Sequence, residues 1–87
     1  MAIVNIEKFE GAEINTEDLV YFRDNGFCID PESGIVIELS SAGDLLLAPE
    51  NVTHVDELDV YELQDNLTSD EYSLLVDIMF KLGDHDF

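Results

Sequence analysis

Few side chains in this sequence could carry covalent or redox chemistry. Cys28 is the sole cysteine, and His54 and His85 are the only histidines. A Cys–His pair would supply a nucleophile and its base. Cys28, however, lies between Phe27 and Ile29 in an apolar run, where a thiol reads as a small buried hydrophobe. Ser40-Ser41 lacks the Gly-x-Ser-x-Gly elbow of a hydrolase, and no glycine-rich phosphate loop occurs. A calcium loop needs acids spaced ahead of a glycine and a distal glutamate, and the surroundings of Gly26, Gly34 and Gly43 lack them. Asp84-His85-Asp86 is a ligand-like trio, but three consecutive residues make a poor cage. With 21 acidic residues, paired carboxylates are unavoidable and point to no particular acid–base chemistry. These residues predict a chain that is not an enzyme and has no metal site and no cofactor.

The pattern that remains is electrostatic. Asp56, Asp59, Glu62 and Asp65 recur every three residues, with Glu57 beside them. On a helix, successive members would climb about 4.5 Å along the axis. This acidic row runs one residue out of step with an apolar row, Val52, Val55, Leu58 and Tyr61, so burying one would display the other. Asp70 and Glu71 at the next helix start, and Asp30 and Glu32 around a hairpin turn, would extend the acidic surface. Tyr61 falls on the apolar row and is expected in the core; its other reading is an aromatic anchor at the edge of the acidic face.

The elements that would position these groups follow from local pattern. Residues 2–9 read as a strand, broken by Glu10-Gly11-Ala12. Asn15 or Thr16 can cap a short helix with Leu19, Val20 and Phe22 inward, closed by Asn25-Gly26. Phe27-Cys28-Ile29-Asp30 and Ile35-Val36-Ile37-Glu38-Leu39 flank Pro31-Glu32-Ser33-Gly34, a hairpin with proline early and glycine late in its turn. Asp44 to Ala48 reads as a third meander strand stopped by Pro49. A helix is expected from Glu50 through the acidic row, with Leu63 and Leu67 extending its apolar side; an alternative makes Asp59-Val60-Tyr61-Glu62-Leu63 a strand. Thr68-Ser69-Asp70-Glu71 is a capping box opening a last helix, whose inner face would carry Tyr72, Leu75, Val76, Met79 and Leu82. Asp84-His85-Asp86-Phe87 reads as a short tail. The expected fold is α+β: one domain over residues 1–87, an antiparallel meander of three to four strands with two to three helices packed on one side.

Composition narrows the function. Lys8, Arg23 and Lys81 are the only bases, so the formal net charge is −18, while 46% of residues are hydrophobic. Three cations cannot form a nucleic-acid-binding patch, and an anionic membrane surface would repel the chain. The hydrophobic content exceeds that of a disordered acidic tail. About 5,200 Å² of surface, expected at this mass, would carry roughly one net charge per 290 Å². No basic leader with a long apolar run and no membrane-length apolar stretch is evident, so a cytoplasmic protein is expected. Leucine and isoleucine far outnumber alanine, which argues against adaptation to high salt as the source of the charge.

A duplex presents one negative charge per about 1.7 Å of axis, and proteins grip it with lysine and arginine. A folded chain with carboxylates at comparable spacing can occupy such a groove. In size, charge and lack of catalytic groups, the sequence resembles the small acidic DNA-mimic inhibitors made by bacteriophages, which include anti-CRISPR and anti-restriction proteins and uracil-DNA glycosylase inhibitors. The resemblance is one of size and composition and carries no residue roles across. It implies a phage-encoded, stoichiometric blocker in the host cytoplasm, whose partner is a basic nucleic-acid-binding protein such as a CRISPR effector or a restriction enzyme. The alternative is an acidic interaction or regulatory module that binds a basic protein without imitating DNA.

Overall fold

The computed structural model describes residues 3–83. They form, in chain order, β1 (Ile3–Ile6), β2 (Ala12–Asn15), β3 (Val20–Phe22), β4 (Phe27–Ile29), β5 (Ile35–Leu39), β6 (Leu45–Leu46), β7 (Val52–His54), α1 (Val60–Gln64) and α2 (Ser69–Gly83). Single 3-10 turns at Thr16–Asp18, Arg23–Asn25, Pro49–Asn51 and Val55–Glu57 make corners between them. Every strand pairing among the described residues is antiparallel. The α+β class is as expected, but the strands outnumber the three to four read from the sequence. Asp84-His85-Asp86-Phe87, with the trio considered as metal ligands, lies outside the described residues.

The hairpin from β4 to β5 is the organising unit. Asp30 donates its amide to the Ile35 carbonyl at 2.9 Å, and Gly34 donates back to the Asp30 carbonyl at 2.8 Å. Gly34 adopts φ +80°, the left-handed region that glycine enters without penalty. β3 adds to the free edge of β4, while the far edge of β5 is shared. Its first half pairs with β7, Ile35 opposite His54, and its second half with β6, Leu39 opposite Leu45.

Strand alternation sends successive side chains to opposite faces, and both faces of this sheet are covered. Cys28, Ile35 and Ile37 pack with Ile6, Ile14, Leu19 and Val52 under the β1–β2 hairpin. Phe22, Phe27, Ile29 and Val36 pack with Val55, Leu75 and Ile78 under α2. Phe22 and Phe27 stack at 5.0 Å between ring centroids. Lys8 donates to the Val52 carbonyl at 2.8 Å and so ties the first hairpin to the sheet. Two-sided burial is why β4 and β5 read as continuous apolar runs.

Several elements differ from expectation. The breaker at Glu10-Gly11-Ala12 is the turn into a second strand, β2, which returns along β1. The helix expected between Asn15 and Gly26 is two 3-10 turns flanking β3. Its ends nevertheless behave as caps: the Asn15 side chain accepts from the Glu17 amide at 3.0 Å, and Gly26 is left-handed. The strand expected over residues 44–48 shortens to Leu45–Leu46. No helix runs from Glu50: β7 and two 3-10 turns occupy residues 49–57, and only Val60–Gln64 is α-helical. The alternative strand at 59–63 is likewise absent. The capping box of α2 is present: the Glu71 amide donates to the Thr68 hydroxyl at 3.2 Å, and the Glu71 carboxylate accepts from the Thr68 amide at 2.9 Å. Ile78 takes the inner position assigned to Val76, which is exposed.

Candidate functional site

The acidic segment 56–65 is positioned by the hairpin turn through one histidine. His54 ends β7 opposite Ile35. Its Nε2 donates to the Ser33 carbonyl at 3.0 Å, and its Nδ1 accepts from the Asp56 amide at 3.2 Å. Hydrogen on Nε2 makes both bonds at once, and the Asp56 carboxylate lies 3.4 Å from the same Nδ1. The ring thereby caps the Val55–Glu57 turn, and Glu57 closes the box by accepting from the His54 amide at 3.3 Å. Three residues per turn is the geometry of this 3-10 corner. It buries Val55 and leaves Asp56 and Glu57 exposed.

Glu57 is held in its ionised form by its neighbours. The Thr53 hydroxyl, 2.6 Å from Oε2, and then the His54 amide hold its carboxyl below the usual value of 4.5. A lowered folded value means that the ionised carboxylate favours the fold above the ordinary carboxylate range. That contribution disappears as pH falls through the lowered value. In an NMR titration, Glu57 is expected to protonate below pH 4.5, and Thr53→Val to return it toward that value. An unshifted Glu57 in the native chain would show that the turn opens in solution.

Asp59 then caps α1, its carboxylate accepting from the Glu62 amide at 3.2 Å. The result is an open cleft of about 390 Å³ lined by Glu57, Leu58, Asp59, Glu62, Leu63 and Asn66. Three carboxylates edge a partly apolar floor, and among the described residues no cation lines it. Lys8 and Arg23 hold contacts of their own, although the Lys8 charge also reaches Glu57 and adds to the lowering of its carboxyl. Lys8 holds Val52, and the Arg23 guanidinium lies 4.4 Å over the Tyr21 ring. Such a cleft can accept a lysine or arginine, with the stem on Leu58 and Leu63 and the head among carboxylates.

The acidic row expected on one helix face is therefore dispersed over a turn, a cap, one helical position and a helix end. Glu57, Asp59 and Glu62 come together. Asp56 and Asp65 are exposed beside them but do not line the cleft. Asp70 is exposed on the first turn of α2, and Glu71 is half-buried in the capping box. Glu32 is exposed in the hairpin turn. Asp30 is only 6% exposed and accepts from the Ser33 hydroxyl at 2.6 Å, so it builds the turn rather than the surface. Tyr61, expected in the core, is 85% exposed in the middle of the acidic segment.

Cys28 is fully buried, and desolvation pushes its thiol up to about 11, far from a nucleophile's range. Among the described residues no three His, Cys, Asp or Glu side chains gather to hold a metal ion, and no helix is long and apolar enough to cross a membrane. Compared with protein-family models, curated proteins and solved structures, the chain matches none.

Proposed function

We propose that this protein is a non-enzymatic inhibitor that presents carboxylates where DNA presents phosphates, and so blocks the nucleic-acid-binding groove of a basic protein. A phage-encoded anti-CRISPR or anti-restriction type protein acting in the host cytoplasm is the form that fits its size and charge. The reading is carried by the cleft at Glu57, Asp59 and Glu62, an acidic edge with no cation among the described residues that line it. A net charge of −18 would steer a basic partner to it at a rate that falls with salt. The apolar floor at Leu58 and Leu63 favours a second reading, an acidic interaction module that takes up basic side chains without imitating a duplex.

Capture from a bacterial lysate on the immobilised protein at low salt, followed by elution with a short DNA duplex, tests the first reading against the second. A captured protein displaced by duplex supports the inhibitor; one retained against duplex supports the module. In the Asp59→Lys/Glu62→Lys variant, association with the captured protein is expected to slow by about tenfold at low salt and to lose much of its salt dependence. Unchanged association would remove the cleft from the interface.

A further inference from the structure

A second concave surface lies on α2, apart from the acidic cleft. Val20 and Pro31 face Leu74, Ile78 and Phe80 across a groove of about 460 Å³, with Asp77 and Lys81 also in its lining. Leu74 is 42% and Phe80 63% exposed, large apolar side chains displayed on a helix whose opposite side already fills the core. Positions 70, 74, 77 and 81 follow one stripe of α2 at helical spacing, so Asp70 and Asp77 bracket Leu74. Glu32 stands next to Pro31 in the hairpin turn. The lining itself pairs one acid, Asp77, with one base, Lys81; the exposed Asp70 lies one helical step from Leu74, and the exposed Glu32 follows Pro31 in the chain.

We propose that this groove anchors an apolar stripe of a cationic protein segment, one or two large side chains flanked by lysine or arginine. The net charge of the chain argues for that occupant over a second copy. Another copy would set −18 against −18. Electrostatic attraction supplies speed and register, while buried apolar anchors supply residence time. The groove and the acidic cleft also share the hairpin turn: Pro31 lines one, and Ser33 holds the histidine that shapes the other. The partner's basic character rests on the function proposed above; the apolar anchor does not follow from it.

Two synthetic helical peptides of equal positive charge test the proposal, one with a single leucine stripe among lysines and one with serine at every leucine. At about 0.15 M salt, where only nearby charges interact, the leucine peptide is expected to bind at least about tenfold tighter. Its binding should shift the NMR signals of Leu74, Ile78 and Phe80. Leu74→Ser/Phe80→Ser changes exposed positions, and is expected to reduce the leucine peptide to the affinity of the serine peptide. Equal affinity of both peptides, with shifts confined to residues 57–62, overturns the groove and leaves the acidic reading intact. Binding of neither overturns both. Concentration-dependent dimerisation in sedimentation, abolished by the double serine variant, assigns the groove to a second copy and overturns the proposal.

Discussion

Gly34→Ala is expected to destabilise the fold by about 2–4 kcal/mol and to weaken binding at the acidic cleft, although Gly34 itself binds nothing. The backbone at φ +80° costs a side chain about 1–2 kcal/mol in the left-handed region. The methyl group would also stand 2.8 Å from His54 Nε2 and 3.0 Å from Leu82 Cδ1. Gly34 donates to Asp30 and accepts from the Val55 amide at 2.8 Å, so its backbone cannot retreat without breaking the turn. The histidine has to move instead. Its bonds to Ser33 and to the Asp56 amide would stretch, at about 1 kcal/mol each. Gly11 provides the control, because its φ is +83° and a methyl group there would have nothing within 4 Å. Gly11→Ala should show the backbone cost alone in urea denaturation, and binding by the cleft should be unchanged. Equal destabilisation by the two substitutions would mean that His54 is not clamped by the turn.

That clamp also shows what local sequence pattern can and cannot reveal. Pro31 and Gly34 announce the hairpin, and Thr68 with Glu71 announces α2, because each motif is complete within four residues. The stripe Val52, Val55, Leu58, Tyr61 misleads for a geometric reason. Nine residues of α-helix turn through about 900°, which places Tyr61 opposite Val52 rather than beneath it. A period of three matches the 3-10 corner that forms after β7, where Val52 and Val55 are buried and Leu58 is half-buried. Tyr61 leaves that row because Asp59 caps a new helix, α1, and Tyr61 falls on its exposed side. Capping at Asn15 and Gly26 is legible, but the same residues close 3-10 turns as readily as an α-helix. The choice of β3 between them depends on pairing with β4, which no local pattern encodes.

The site is legible in composition and only partly in position. Asp59 and Glu62 are marked by spacing and Glu57 lies beside their row, yet what joins them is the Asp59 cap and the His54 box, both side-chain-to-backbone bonds. Asp30 looks like its acidic neighbours in sequence and is buried because Ser33 supplies it with a partner. The groove on α2 has one sequence cue. Leu74 and Phe80 do not fit the inner face built from Leu75, Ile78 and Leu82, and large apolar residues off that face have to be displayed.

Leu75→Ala should have the largest effect of any single truncation on α2, because Leu75 is fully buried where the helix meets Phe22, Phe27, Ile29 and Val36. A buried leucine cut to alanine costs about 2–5 kcal/mol. The entire stability expected for 87 residues is about 4–13 kcal/mol. Self-repulsion draws on the same reserve. At about 0.01 M salt the screening length is roughly 30 Å, close to the 33 Å long axis of the molecule, so nearly every pair of its charges interacts. At 1 M it is about 3 Å and only neighbours interact. The variant is therefore expected to be largely unfolded in dilute buffer and to regain its far-UV circular dichroism as sodium chloride is added. The native chain should gain stability over the same range. The two effects have different origins, so the difference between variant and native chain should stay nearly constant with salt while both rise. A difference that closes as salt is added would mean that Leu75 holds charged segments together rather than filling a core, and the packing of α2 on the sheet would have to be redrawn.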